Sequence, residues 1–104
     1  MQRIAFTMKL HPGFEAEYRR RHAAIWPGLS ALLHNTGIRE YSIFLDGASL
    51  ILFAYLQIDD AVKLDDLPAH PVMREWWDYM KDIMETNPDH SPVTKELKEA
   101  FYMP

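Results

Sequence analysis

The run Leu50-Ile51-Leu52-Phe53-Ala54-Tyr55-Leu56 is apolar at almost every position. It follows Asp46-Gly47, a turn signal with a second β-prone run before it. Residues 38–45 and 50–58 therefore read as the two arms of a β-hairpin. A strand as apolar as the second arm is expected to be buried on both faces. One sheet with helices on one side leaves its other face open. A second subunit is the expected cover.

The rest of the chain alternates around that hairpin. Ile4, Phe6, Met8 and Leu10 interleave with Arg3, Ala5, Thr7 and Lys9, the period of two of a strand with one buried face. Pro12-Gly13 ends it. Residues 14–23 read as a helix with Phe14, Tyr18 and His22 along one line. Pro27 predicts a break near Ile25-Trp26. A second helical piece follows through Leu29, Leu32 and Leu33, with Gly37 as its C-cap. Asp59-Asp60 opens a short helix ending near Pro68. Residues 71–84 form a stronger one, with Val72, Met73, Trp76, Trp77, Met80, Ile83 and Met84 at helical spacing. A turn-rich loop at 87–92, a short helical piece around Glu96-Leu97 and a last strand at Ala100-Phe101-Tyr102-Met103 complete the reading. The order strand–helix–strand–strand–helix–strand predicts an α+β, ferredoxin-like βαββαβ subunit. Two such sheets can join as a dimeric α+β barrel. No linker or repeat divides residues 1–104, so a single domain is expected.

Composition excludes several function classes. A formal charge of -4 argues against general nucleic-acid or anionic-membrane binding. No apolar run approaches the roughly 20 residues of a membrane helix. Met1-Gln2-Arg3-Ile4 leads into a strand pattern without signal-peptide layout, so a cytoplasmic protein is expected. The absence of cysteine removes disulfides, thiolate nucleophiles and thiolate metal sites. His11, His34, His70 and His90 are scattered without metal-ligand spacing. The pairs Asp59-Asp60 and Asp65-Asp66 read as caps or surface. There is no phosphate loop and no nucleophile elbow.

What remains is acid–base chemistry beside aromatic surface. Tyr18 and His22 are four apart and share one helix face. They pair a group that titrates near neutrality with a phenol. The intervening Arg19-Arg20-Arg21 reads as a solvated helix face. Tyr41 lies on the first hairpin strand, on a face with Arg39 and Ile43. Its hydroxyl serves either as a core-edge group or as a pocket group. Trp76 and Trp77 point about 100° apart on a helix, so one can pack while the other lines a cavity. Tryptophan suits the apolar face of a sugar ring, with its N–H left for a hydroxyl.

Read together, Tyr18-Arg19-Arg20-Arg21-His22, Ile25-Trp26-Pro27, Tyr41-Ser42-Ile43-Phe44-Leu45-Asp46, Trp76-Trp77-Asp78-Tyr79-Met80, Asn87-Pro88-Asp89, Ser91-Pro92-Val93 and Phe101-Tyr102 resemble the L-rhamnose mutarotase family nearly end to end. Ala23-Ala24 stands where the family often has Asn-Pro, and His90 where it has Asn. The resemblance implies a homodimer without cofactor or metal that interconverts the α and β anomers of L-rhamnose. It implies His22 as proton donor, and Tyr18, Tyr41, Trp76 and Trp77 as sugar-binding residues. The same barrel frame also serves small ligand-binding proteins and cofactor-free or haem-dependent oxygenases. A binder would need the aromatics but not His22, and a haem enzyme an axial histidine.

Overall fold

A computed structural model describes residues 1–104. Strands β1 (Gln2–Lys9), β2 (Arg39–Asp46), β3 (Ile51–Ile58) and β4 (Lys95–Leu97) form one sheet in the order β2-β3-β1-β4. Each neighbouring pair is antiparallel. Helices α1 (Glu15–Ala23) and α2 (Pro27–Thr36) connect β1 to β2. A 3₁₀ segment (Ala61–Ala69) and α3 (Pro71–Met80) connect β3 towards β4. This is the ferredoxin-like order expected from the sequence.

Local chemistry sets the element boundaries. Pro27 stands at the start of α2, where its fixed φ favours the helix and its missing N–H costs nothing. Gly37 ends α2 at φ 105°, a left-handed cap that donates its N–H to the His34 carbonyl. Asp60 caps the 3₁₀ segment by accepting the Val62 N–H at 3.1 Å. Asp46 organises the hairpin loop instead of a tight Asp-Gly turn. Its carboxylate accepts the Ser49 hydroxyl at 2.6 Å, and Leu50 takes φ 62° before β3 begins.

Two expectations are corrected. First, α3 stops at Met80 rather than 84. Ile83 and Met84 are buried because the chain pairs across the end of β1: Ile83 accepts the His11 N–H and Glu85 donates to the Lys9 carbonyl, both at 2.9 Å. Their helical spacing continued past the point where the backbone changed partners. Secondly, the last strand is Lys95–Leu97, opposite Thr7, Phe6 and Ala5, and not residues 100–103. Pairing with the open edge of β1 overrides the helical propensity around Glu96, while Phe101 stays 81% exposed. Within one chain, β3 buries one face, and its other face is the open one for which the sequence reading expects a second subunit. Leu52, Ala54, Leu56 and Ile58 enter the core, whereas Phe53 on the opposite face is 40% exposed. Register places Phe44 opposite Phe53 and Leu97 opposite Ala5, so all three lie on the helix-free face.

The core gathers Met8, Leu10, Tyr18, Leu29, Leu52, Met73, Trp76, Met80 and Ile83 between the sheet and the helices. The site opens from this layer.

Candidate active site

Helix α1 carries the first two groups. Tyr18 and His22, one turn apart, stack with ring centroids 4.2 Å apart and planes 25° from parallel. His22 Nδ1 lies 3.0 Å from the Tyr18 carbonyl oxygen. A carbonyl only accepts, so Nδ1 carries the proton, and the neutral ring keeps its lone pair on Nε2. Nε2 makes no hydrogen bond within the protein. Burial pushes the His22 pKa below its ordinary 6.5, partly opposed by the bond to the Tyr18 carbonyl. His22 is therefore neutral at physiological pH, with a free basic nitrogen.

The aromatic surface comes from α3 and from the α1–α2 joint. Trp76 is only 6% exposed and meets His22 edge-on, at 5.4 Å and 89°. Trp26, held at the break before Pro27, packs edge-on against Trp76 at 5.0 Å and lies 5.4 Å from Tyr79. Trp77, the next residue on α3, is half-buried and lines the cavity as well.

Tyr41 arrives through an irregularity in β2. Arg39 pairs with Gln57 and Ser42 with Tyr55, so Glu40 and Tyr41 together oppose Leu56 alone. Glu40 takes φ 53° in this bulge. The extra residue shifts the backbone register of Arg39, but its guanidinium donates to the His34 and Ile38 carbonyls and lines the same cavity as Tyr41. Tyr41 stays with Ile43 on the cavity side. It is 38% exposed as a residue, yet loss of water around its hydroxyl pushes its pKa up to about 12. Burial, and then the nearby Tyr41, push the Tyr18 phenol up as well. Both phenols stay neutral and can donate or accept a hydrogen bond.

Tyr18, His22, Tyr41, Trp76 and Trp77, predicted from three stretches of sequence, thus line one open cavity of about 1180 Å³. Most of its lining is apolar, as in sites for small molecules. Sequence reasoning missed three residues around it: Trp26, Tyr79 and Arg21. Trp26 carried a signal as a bulky residue at a helix break. Arg21 did not read as solvated in the structure. It is 8% exposed, a correction of the charged-face reading. No group of three or more His, Cys, Asp or Glu side chains converges anywhere in the chain.

Comparison with known proteins gives the site its context. The family model described as L-rhamnose mutarotase matches residues 3–103. The chain belongs to the L-rhamnose mutarotase family. An L-rhamnose mutarotase of Brucella anthropi is 53% identical over 103 residues, covering 99% of this chain and 97% of that protein. One from Flavobacterium johnsoniae is 54% identical over 101 residues, covering 97% and 94%. The crystal structure of an L-rhamnose mutarotase from Formosa agariphila superposes with a TM-score of 0.94 at 43% identity, each chain covered completely.

Proposed function

We propose that this chain interconverts the α and β anomers of L-rhamnose and that His22 moves the proton. Membership of the family supports the reaction. The observation that carries the residue assignment is the fixed tautomer of His22: Nδ1 is occupied by the Tyr18 carbonyl, and Nε2 is free in an aromatic cavity. Mutarotation needs one proton removed from the anomeric hydroxyl and one delivered to the ring oxygen. Neutral His22 takes the hydroxyl proton on Nε2 as the bond from C1 to the ring oxygen breaks and the C1 carbonyl forms. The imidazolium then returns that proton to the ring oxygen. The open aldehyde rotates about C1–C2, and the reverse steps close the ring on its other face. No electrons are exchanged with a partner. Tyr18 and Tyr41 bind sugar hydroxyls, and Trp76 and Trp77 take the apolar face of the ring.

Replacement of His22 by Asn tests this reading. The folded variant should exchange rhamnose anomers roughly 10²-fold or more slowly, the usual size of a general acid–base contribution. Saturation-transfer NMR between the two anomeric protons reads the rate. A folded variant that exchanges at the parental rate removes His22 from the mechanism and makes Tyr18 or Tyr41 the next candidate.

We also infer a homodimer joined through the helix-free face. Phe44 is 67% exposed there beside the half-open Phe53, and Leu97 is half-open on the same face at the other edge of the sheet. An apolar sheet face of this kind marks an interaction surface. Light scattering at micromolar concentration should give twice the chain mass, and Phe53→Glu should shift it to one chain. A folded parent protein with monomer mass overturns the inference. A cytoplasmic location accords with a chain that has no cysteine and gains nothing from an oxidising compartment. Cell fractionation that recovers it with periplasmic markers would contradict that placement.

A further inference from the structure

We propose that Arg21 is a positioning residue that locks α1 to the end of α3 and so fixes His22 against Trp76. The inference rests on the role proposed for His22. Arg21 is the one buried charged side chain of the protein. Its guanidinium reaches from α1 to the far side of the cavity wall. Nη1 donates to the Tyr79 carbonyl at 2.7 Å and to Asp82 Oδ1 at 2.9 Å. Nη2 donates to Asp82 Oδ2 at 3.1 Å, and Nε donates back to Glu17 Oε2 at 2.7 Å. The guanidinium carbon also lies 4.5 Å from the centre of the Tyr79 ring. Glu17 is held in turn by Arg20, through bonds of 2.7 and 2.6 Å.

This fork makes three hydrogen bonds from α1 to the α3 segment, and Arg20 beside it approaches the Tyr79 hydroxyl as well. Its neighbours in sequence are the site itself. His22 follows Arg21 directly, and Tyr79 stands one turn beyond Trp76 with its ring 5.6 Å away. The proton-moving group is on one side of the joint and the sugar platform of Trp76 and Trp77 on the other. A planar fork sets the spacing of the two helices in a way that a single ammonium cannot, because it fixes distance and angle together. Loosening it should leave the platform able to hold sugar while Nε2 loses its register with the anomeric hydroxyl. A misplacement of about 1 Å can cost on the order of 10²-fold in rate.

The test uses the full chain with Arg21→Met, Arg21→Lys and Asp82→Asn, each checked for folding by circular dichroism. Anomer exchange measured over a range of rhamnose concentrations separates kcat from KM. The ring-proton shifts of His22, which feel the ring current of Trp76, report the α1–α3 geometry without any reference to activity. Arg21→Met should lose roughly 10–100-fold in kcat with a much smaller change in KM, and its His22 shifts should move. Arg21→Lys should recover part of both, and Asp82→Asn should show a smaller loss in the same direction. Folded Arg21 variants with parental kcat and parental His22 shifts overturn the proposal, however far their melting temperature falls. If Arg21→Met does not fold, parental kcat and shifts in Arg21→Lys and Asp82→Asn overturn it equally. A parental rate in His22→Asn would instead sink the catalytic reading, while the His22-shift measurement would still decide whether Arg21 sets the geometry.

Discussion

Replacing Trp76 by Ala should separate support of the site from contact with the sugar. Trp76 is buried and touches three other rings: His22 at 5.4 Å, Trp26 at 5.0 Å and Tyr79 at 5.6 Å. Truncating a buried tryptophan typically costs about 3–5 kcal/mol, partly through the cavity left behind. A domain of this size has only about 5–15 kcal/mol in total. At about 4–8 °C per kcal/mol, a cost near the middle of that range lowers Tm by roughly 15–30 °C. Trp77 on the adjacent position is half-buried and is not among those ring contacts. Its replacement by Ala should therefore cost less than half as much stability. Its main effect should be weaker sugar binding. Thermal unfolding by circular dichroism gives the first quantity, and NMR titration with L-rhamnose at a temperature where both variants are folded gives the second. A Tm for Trp76→Ala within a few degrees of the parent would refute the idea of a buried aromatic hub. A Trp77→Ala variant with unchanged affinity would remove it from the sugar platform.

The anomer-exchange rate should fall on the acid side only below pH 6.5, because burial lowers the His22 pKa from that value and the neutral ring is the active form; an acid limb above 6.5 would contradict the assignment. The same shift makes folding stability rise with pH from the depressed pKa up to 6.5, since the unfolded chain binds the proton first, and His22→Asn should abolish that part of the slope in urea titrations. Treatment with EDTA should leave exchange unchanged, as no cluster of ligating side chains is assembled; activity lost and then restored by one divalent ion would show otherwise.

How much of this was readable beforehand depended on how local each signal was. The stacking of Tyr18 on His22 follows from a spacing of four on a helix, and the break before Pro27 from the chemistry of one residue. Both were legible. The bulge at Glu40 was not, because it arises only when β2 is laid against β3 and two residues must face Leu56. The strand at Lys95–Leu97 was hidden for the same reason: three residues of helical character take the free edge of β1. Arg21 was the largest miss. In sequence it is one of three adjacent arginines, and nothing local distinguishes it from Arg19 and Arg20. Only the approach of α3 supplies the Tyr79 carbonyl and the Asp82 carboxylate that let a guanidinium be buried with its donors satisfied.

The site is thus made at joints between elements rather than on any one of them. The Pro27 break sets Trp26 beside Trp76, the β2 bulge puts Glu40 and Tyr41 together opposite Leu56, and the turn after α3 carries the Asp82 anchor of Arg21. Each joint is held by an interaction that tolerates little change: an edge-on ring pair, a positive φ at Glu40, a forked ion pair. A helix-face histidine supplies a proton carrier by local geometry alone. On the mechanism proposed above, these three joints would fix where a sugar lies against it. Substitutions at Arg21, Trp26 and Glu40 should accordingly affect turnover although none of them need touch the substrate.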